Sequence, residues 1–196
     1  MKNLSDYIWI PLVMLMVYFG FNIDSHQVKT QIEEPINVEI IIDSLTNELI
    51  SEVKYIIPNN SNVLADSIVN ICLRYDFDIA LCCAQAHVES HYGTKGRARR
   101  TRSIFGVGAY DNGRNVYNYK NVNESIEPYI KLVSEYYLSN KTVDELLDNY
   151  VNINGKRYAS NKNYEKLVKN CRDKILLNTN VFNIQSEITK IKSENV

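Results

Sequence analysis

Asp78-Ile79-Ala80-Leu81-Cys82-Cys83-Ala84-Gln85-Ala86-His87-Val88-Glu89-Ser90-His91-Tyr92-Gly93 is the stretch on which the fold turns. Asp78 offers a side-chain oxygen to the first N–H groups of a helix, and Gly93 tolerates the left-handed backbone that ends one. Between them the residues are apolar nearly all round until Gln85, with no wet stripe at the helical period. A helix without a polar face is central and buried, and it needs other helices around it.

The flanks supply them. Val63 to Tyr75 carries an apolar stripe after the breaker Pro58-Asn59-Asn60-Ser61. Upstream, Ile41, Leu45, Leu49, Val53 and Ile56 recur at helical intervals over Val38–Ile57, a helix that either packs on the domain or forms a stalk. Downstream, Asp111-Asn112-Gly113 is a turn signal, and the alternation from Val116 to Tyr119 predicts a small hairpin. Helical periodicity returns over Asn123–Leu138, where Pro128 fits only if the helix starts near Ser125. Thr142-Val143-Asp144-Glu145 is a capping box opening a short helix to about Val151, and a last strong helix is read over Asn161–Leu177. The reading is therefore mainly α: a compact helical domain over 61–178, a linker and helical stalk over 24–60, and a C-terminal tail over 179–196 with a frayed amphipathic turn or two.

Composition narrows the function. At 196 residues, 45% of them hydrophobic, the chain buries one core of ordinary size. Seven Gly and four Pro exclude a low-complexity chain, and 14 Tyr with 5 Phe exclude a solvating tail. The 22 Lys+Arg are matched by 23 Asp+Glu, so nucleic acid is not expected as a partner and any basic site is local. Tyr7 to Phe21 is continuously apolar between Lys2 and Asp6 on one side and Asn22-Ile23-Asp24-Ser25-His26 on the other. It sits at the short limit for crossing a hydrocarbon layer roughly 30 Å thick. We read 1–23 as an uncleaved membrane anchor, the alternatives being a cleaved signal segment or a partner-binding helix; no small-x-small cleavage site follows it. Lys2 and the free amine favour the amino terminus inside, which exports the rest and makes it extracytoplasmic, membrane-anchored or, if cleaved, secreted.

Glu89 is the residue that draws chemistry. A carboxylate at the end of the most apolar helix is costly unless protonated or paired, and desolvation raises its pKa, as a general acid near neutral pH requires. The alternative is a pairing with Arg97 or Arg99 that merely holds the loop. His87 and His91 flank it, but a metal site is not expected: Glu89 lies about 200° around the helix from His87, unlike the zinc-protease arrangement. A zinc deaminase would need a later P-C-x-x-C, and only Cys171 follows. Cys72, Cys82, Cys83 and Cys171 read as small buried apolar residues, and no cofactor is expected. Lys95-Gly96-Arg97-Ala98-Arg99-Arg100-Thr101-Arg102 places five cations in eight residues, either a solvated loop or an attractor for an anionic polymer. Tyr75, Tyr110, Tyr158 and Tyr164 are among the aromatic faces open to sugar stacking or, equally, to half-burial.

Ala84-Gln85-Ala86-His87-Val88-Glu89-Ser90-His91-Tyr92-Gly93, followed by Ser103-Ile104-Phe105-Gly106-Val107-Gly108-Ala109-Tyr110-Asp111, resembles the glucosaminidase family of peptidoglycan hydrolases. The family pattern is roughly A-Q-x-x-x-E-S-x-x-G, a variable loop, then N-x-F-G and, in one branch, G-A-Y-D. Tyr119 through Ser125-Ile126 is similar to the lead into the family's next helix, and Arg157-Tyr158-Ala159-Ser160 with Tyr164 to its Y-A-T-D-x-x-(W/Y) element. The resemblance covers about Asn62 to Leu177. It implies a lysozyme-like helical domain with a small β-hairpin lobe, acting on peptidoglycan glycan strands as an endo-β-N-acetylglucosaminidase. It further implies that Glu89 is the general acid and Tyr158 a catalytic or positioning tyrosine, with Phe105 and Gly106 shaping the groove floor. Tyr110 and Asp111 would line the hairpin lobe, and Arg97, Ser103 and Tyr164 would contact substrate. Ser103 stands where the family has Asn, and Asn161 where it often has Asp. A second carboxylate, needed roughly 6.5–9.5 Å away by an inverting mechanism, is sought at Asp111 and then Glu124, whose other reading is a helix-start partner. The substrate's own 2-acetamido group is the alternative to both. A catalytically silent glycan-binding module and a lytic transglycosylase are the competing functions.

Overall fold

The computed structural model describes residues 37–107 and 119–195. The apolar segment Tyr7–Phe21 and the linker up to 36 lie outside the described residues, as do the expected turn at Asp111–Gly113 and most of the expected hairpin. Eight α-helices are described: α1 (Val38–Ile56), α2 (Ala65–Arg74), α3 (Ile79–Ser90), α4 (Ala98–Thr101), α5 (Ile126–Tyr136), α6 (Val143–Asp148), α7 (Tyr164–Asn178) and α8 (Val181–Glu194). A 3₁₀ turn over Val122–Ser125 leads into α5. Among the described residues the only β pairing is an isolated antiparallel bridge between Val151 and Arg157, and no helix is long and apolar enough to cross a membrane. The mainly α architecture is as expected.

α3 is the axle. Asp78 accepts from the Leu81 N–H at 2.6 Å, and Ile79 through Ala86 are all buried. The helix stops before Gly93: His91 and Tyr92 already adopt left-handed φ of 51° and 56°, and Gly93 follows at 78°. The Tyr92 N–H then reaches Ala86 O at 2.9 Å, beside the His91 N–H on His87 O at 2.8 Å, so two side-chain-bearing residues close the helix end before the glycine. Around α3 pack α2, α7 and α8, while α5 packs on α2 and α6 on α7. Pro128 sits in the first turn of α5, where its missing N–H costs nothing, and Thr142 forms the capping box with Glu145.

Two boundaries differ from the sequence reading. α1 is no stalk: Leu49 and Val53 are fully buried and the helix lies against α2 and α8. Nor is 179–196 a tail, since α8 buries Val181, Ile184 and Ile188 against α1 and α3. Both helices are half-polar sequences whose apolar stripes are narrow, and tertiary burial rather than propensity decides them.

Arg172 of α7 clasps the bundle. Its guanidinium donates to Asp78 Oδ2 at 2.7 Å and to Asp144 Oδ1 at 3.2 Å, joining α7 to the cap of α3 and to α6. The clasp fixes the angle at which α7 presents Tyr164 toward the far end of α3.

Candidate active site

The last two turns of α3 carry Gln85 and Glu89 toward a hydrogen-bonded stack of tyrosines. Gln85 is the one polar residue in the run Ile79–Ala86 and has no exposed surface, so its amide has to find partners inside the protein. It does: the Tyr129 and Tyr150 hydroxyls both donate to its Oε1, the latter at 2.6 Å, and its Nε2 donates to the Tyr164 oxygen at 2.8 Å. Tyr164 passes the polarity on, its hydroxyl donating to Glu89 Oε1 at 2.6 Å. Gln85, Tyr129 and Tyr150 were not picked out by sequence reasoning as functional. The signal was there in a lone amide inside an apolar helix.

Burial pushes the Glu89 carboxyl above the ordinary carboxylate range, and the Tyr164 hydrogen bond offsets part of that rise. Burial likewise pushes Tyr129, Tyr150, Tyr158 and Tyr164 well above the ordinary phenol range, so all four hydroxyls stay neutral donors. Among the described residues the partner of the Glu89 carboxylate is a tyrosine rather than the guanidinium of Arg97 or Arg99, which leaves the acid-in-a-dry-site reading standing.

Segment 103–107 is strapped over the end of α3. Ser90 donates to Ile104 O at 2.7 Å and accepts from the Gly93 N–H at 2.8 Å, while Ser125 accepts from the Ile104 N–H at 3.2 Å. Ser103 is itself buried, and its hydroxyl donates to Val107 O at 3.4 Å, closing the turn. This turn swings Gly106 over the acid: at φ +66° it adopts a left-handed conformation, and a Cβ placed there would lie 3.5 Å from Glu89 Oε2. Phe105 turns its ring the other way, into the core, stacked on Tyr129 with centroids 3.7 Å apart. Its carbonyl remains at the surface side and accepts from the Tyr158 hydroxyl at 3.0 Å.

Tyr158 reaches that carbonyl from a loop held by Arg157. The Arg157 guanidinium donates to Glu165 Oε2 at 2.9 Å and to the Ala159 and Asn161 carbonyls. The Tyr158 ring stacks on Tyr164 at 5.5 Å and meets Tyr137 edge-on at 5.4 Å.

These pieces line one groove of about 800 Å³, with Glu89, Phe105, Gly106, Tyr158, Ser103 and Arg97 on its walls. Tyr164 stands beneath it, almost entirely buried, and touches the acid rather than the open groove. Glu124 is not among the residues that line it. Its carboxylate accepts from the Lys120 N–H and the Asn121 amide, both at 2.9 Å, and so serves its own helix start. Tyr110 and Asp111 lie outside the described residues. Among the described residues Glu89 is the only acid on the groove, and no three metal-ligating side chains converge.

A family model described as glucosaminidase, mannosyl-glycoprotein endo-β-N-acetylglucosaminidase, matches residues 65–177. The chain belongs to the glucosaminidase family. That match spans α2 through α7 and includes every described residue of the groove, which makes the protein a member of a glycoside hydrolase family that acts on glycan strands. No curated protein matches the chain. The strap residues Ser90 and Ser125, the Gln85 amide and the Arg157 anchor all lie within the glucosaminidase segment, so the supporting frame and the acid belong to one unit.

Proposed function

We propose that this glucosaminidase cleaves the β-1,4 bond on the reducing side of N-acetylglucosamine in peptidoglycan, with Glu89 as general acid. The observation that carries the reading is the asymmetric setting of the Glu89 carboxyl. Oε1 is occupied by the Tyr164 hydroxyl from below, while Oε2 faces the groove past a glycine that leaves it uncovered. The proton of the neutral acid therefore sits on Oε2, within reach of a glycosidic oxygen laid against Gly106. Protonating that oxygen lets the leaving sugar depart as an alcohol while positive charge develops on the N-acetylglucosamine ring. Tyr158 holds the Phe105 carbonyl, and through it the floor of the groove, in place.

The opposite face of the ring is served by Asp111 or by the substrate's 2-acetamido oxygen. Asp111→Asn separates them: loss of turnover with recovery in added azide assigns the base to Asp111, and undiminished turnover assigns the role to the acetamido group. The apolar run Tyr7–Phe21 supports a membrane tether that holds the domain outside the cytoplasm against its wall substrate.

The test incubates the full chain, wild type and Glu89→Gln, with purified peptidoglycan and identifies soluble fragments by mass spectrometry. Fragments with reducing-end N-acetylglucosamine, lost in the variant while wall binding survives, are expected. Anhydro-muramyl fragments would make it a transglycosylase, and no fragments from folded, wall-binding protein would make it a binding module.

A further inference from the structure

Glu89 and Ser90 line a second hollow, on the other side of the acid from Tyr158. It has a volume of about 760 Å³ and runs between α3 and α7 toward Ile56 and Asn178. Its charged lining is one-sided. His87 and His91 come from the end of α3, with ring centroids 4.5 Å apart, Lys95 from the loop that follows, and Lys174 from α7. The Lys95 N–H donates to Ser90 O at 2.9 Å, which ties the backbone of this lysine to the end of α3 at the rim. The one acid in the lining is Glu89, whose carboxyl burial pushes above the ordinary carboxylate range. Burial, and then the charges of His91, Lys95 and Lys174, hold His87 below the ordinary imidazole range, as expected where cations converge. The Tyr158 side of the acid presents the aromatic and main-chain surface of Tyr137, Tyr158, Phe105 and Gly106 near Glu89, with Arg97 and Arg157 further along its wall, the latter paired with Glu165 at 2.6 Å.

We infer that the hollow of His87, His91, Lys95 and Lys174 receives the carboxylate-bearing sugar on the leaving side of the cut bond, and so sets the direction in which a strand lies across Glu89. The inference rests on the activity proposed above. Peptidoglycan alternates a neutral sugar with one whose lactyl ether ends in a carboxylate or continues into a peptide bearing carboxylates. A bond cut after N-acetylglucosamine has the neutral sugar on one side and the acidic one on the other. The neutral sugar lies in the tyrosine groove and the acidic leaving half lies in the cationic hollow. Reversing the strand would leave the ammonium groups of Lys95 and Lys174 unanswered next to the cut bond.

The test reads binding, so it stands apart from turnover. The full chain carrying Glu89→Gln is titrated with three soluble strand preparations. One keeps its stem peptides, one is amidase-stripped so that only lactyl carboxylates remain, and one has all carboxylates converted to N-methylamides. Charged strands are expected to bind about tenfold tighter than neutralised ones, the scale of two partly exposed charge pairs acting together. That ratio falls to about one in Lys95→Gln/Lys174→Gln and persists in Lys190→Gln/Lys192→Gln, which removes the same charge from α8. A full ratio with stripped strands names the lactyl carboxylate as the group bound; a ratio seen only with peptide-bearing strands names the stem peptide. A ratio near one before the lysines are changed, or one equally reduced by the α8 pair, overturns the inference while leaving the hydrolase reading intact. A chain that cuts nothing but keeps a Lys95/Lys174-dependent ratio refutes the hydrolase and supports the hollow.

Discussion

Replacing Tyr164 by Phe removes one oxygen that does two jobs, and both consequences can be sized. The hydroxyl donates to Glu89 Oε1 at 2.6 Å and accepts from Gln85 Nε2 at 2.8 Å. Hydrogen bonds to a charged group contribute about 1.5–3 kcal/mol, and this one favours the ionised carboxylate. Its loss therefore raises the Glu89 pKa further, in the same direction as burial already does. An enzyme that needs Glu89 protonated loses activity as pH rises through that value, so the high-pH limb of its profile moves upward in the variant. At 1.4 kcal/mol per tenfold in proton affinity, the displacement is about one to two pH units. The Gln85 amide is left with an unsatisfied buried donor, costing about 1–3 kcal/mol and lowering Tm by roughly 2–12 °C. The assay is fragment release from purified peptidoglycan by wild type and Tyr164→Phe across pH, with Tm recorded at each pH. Because the limb's position does not depend on how much protein is active, a limb that stays put or moves down would refute the assignment of Glu89 as the acid governed by Tyr164.

Three further outcomes follow from the same geometry. Glu89→Gln should reduce turnover about a thousandfold, the scale of a general acid, while gaining stability relative to wild type as pH rises. With its folded pKa raised, wild-type Glu89 favours folding below the ordinary carboxylate range and loses that advantage on the way up through the folded value; parallel denaturant titrations at several pH values check the divergence. Gly106→Ala forces a side chain into a φ of +66° at about 1–2 kcal/mol and sets a methyl 3.5 Å from Oε2, so kcat/KM should fall more than tenfold for a Tm loss of only a few degrees. Arg172→Met leaves Asp78 without its guanidinium partner beneath α3; unfolding in urea should show a loss of about 2–3 kcal/mol, less than for a fully buried pair because Asp78 keeps some solvent contact, and a midpoint equal to wild type would contradict the clasp.

The central helix could be read from Asp78 and the apolar run behind it because a helix with no polar face has one place to be. Thr142 and Pro128 were equally informative, since each is tolerated at few helix positions and the chain obeys that restriction. Glu89 announced itself by the mismatch between its charge and its helix. What surrounds Glu89 was less legible. That Tyr164 would touch the acid while Tyr158 reached a main-chain carbonyl depends on the angle of α7, which Arg172 sets through residues 28 and 94 positions away. Phe105 stands in the motif as if to face the groove, yet the left-handed turn at Gly106 frees only its carbonyl for that side and drives its ring onto Tyr129. The helices at either end were underread because their apolar residues are spaced for burial against each other, a partnership separated by more than a hundred residues of chain.

That partnership makes the unit that folds larger than the unit that recognises sugar. A boundary drawn at 65 and 177 keeps every described groove residue but discards the layer supplied by Leu49, Val53, Val181, Ile184 and Ile188, each buried to within a few per cent of completely. At about 1.5–3 kcal/mol per such side chain, the discarded layer rivals the whole net stability of an ordinary domain. The two outer helices are thus the jacket of the groove, and anyone who would transplant it into another protein would have to carry them along.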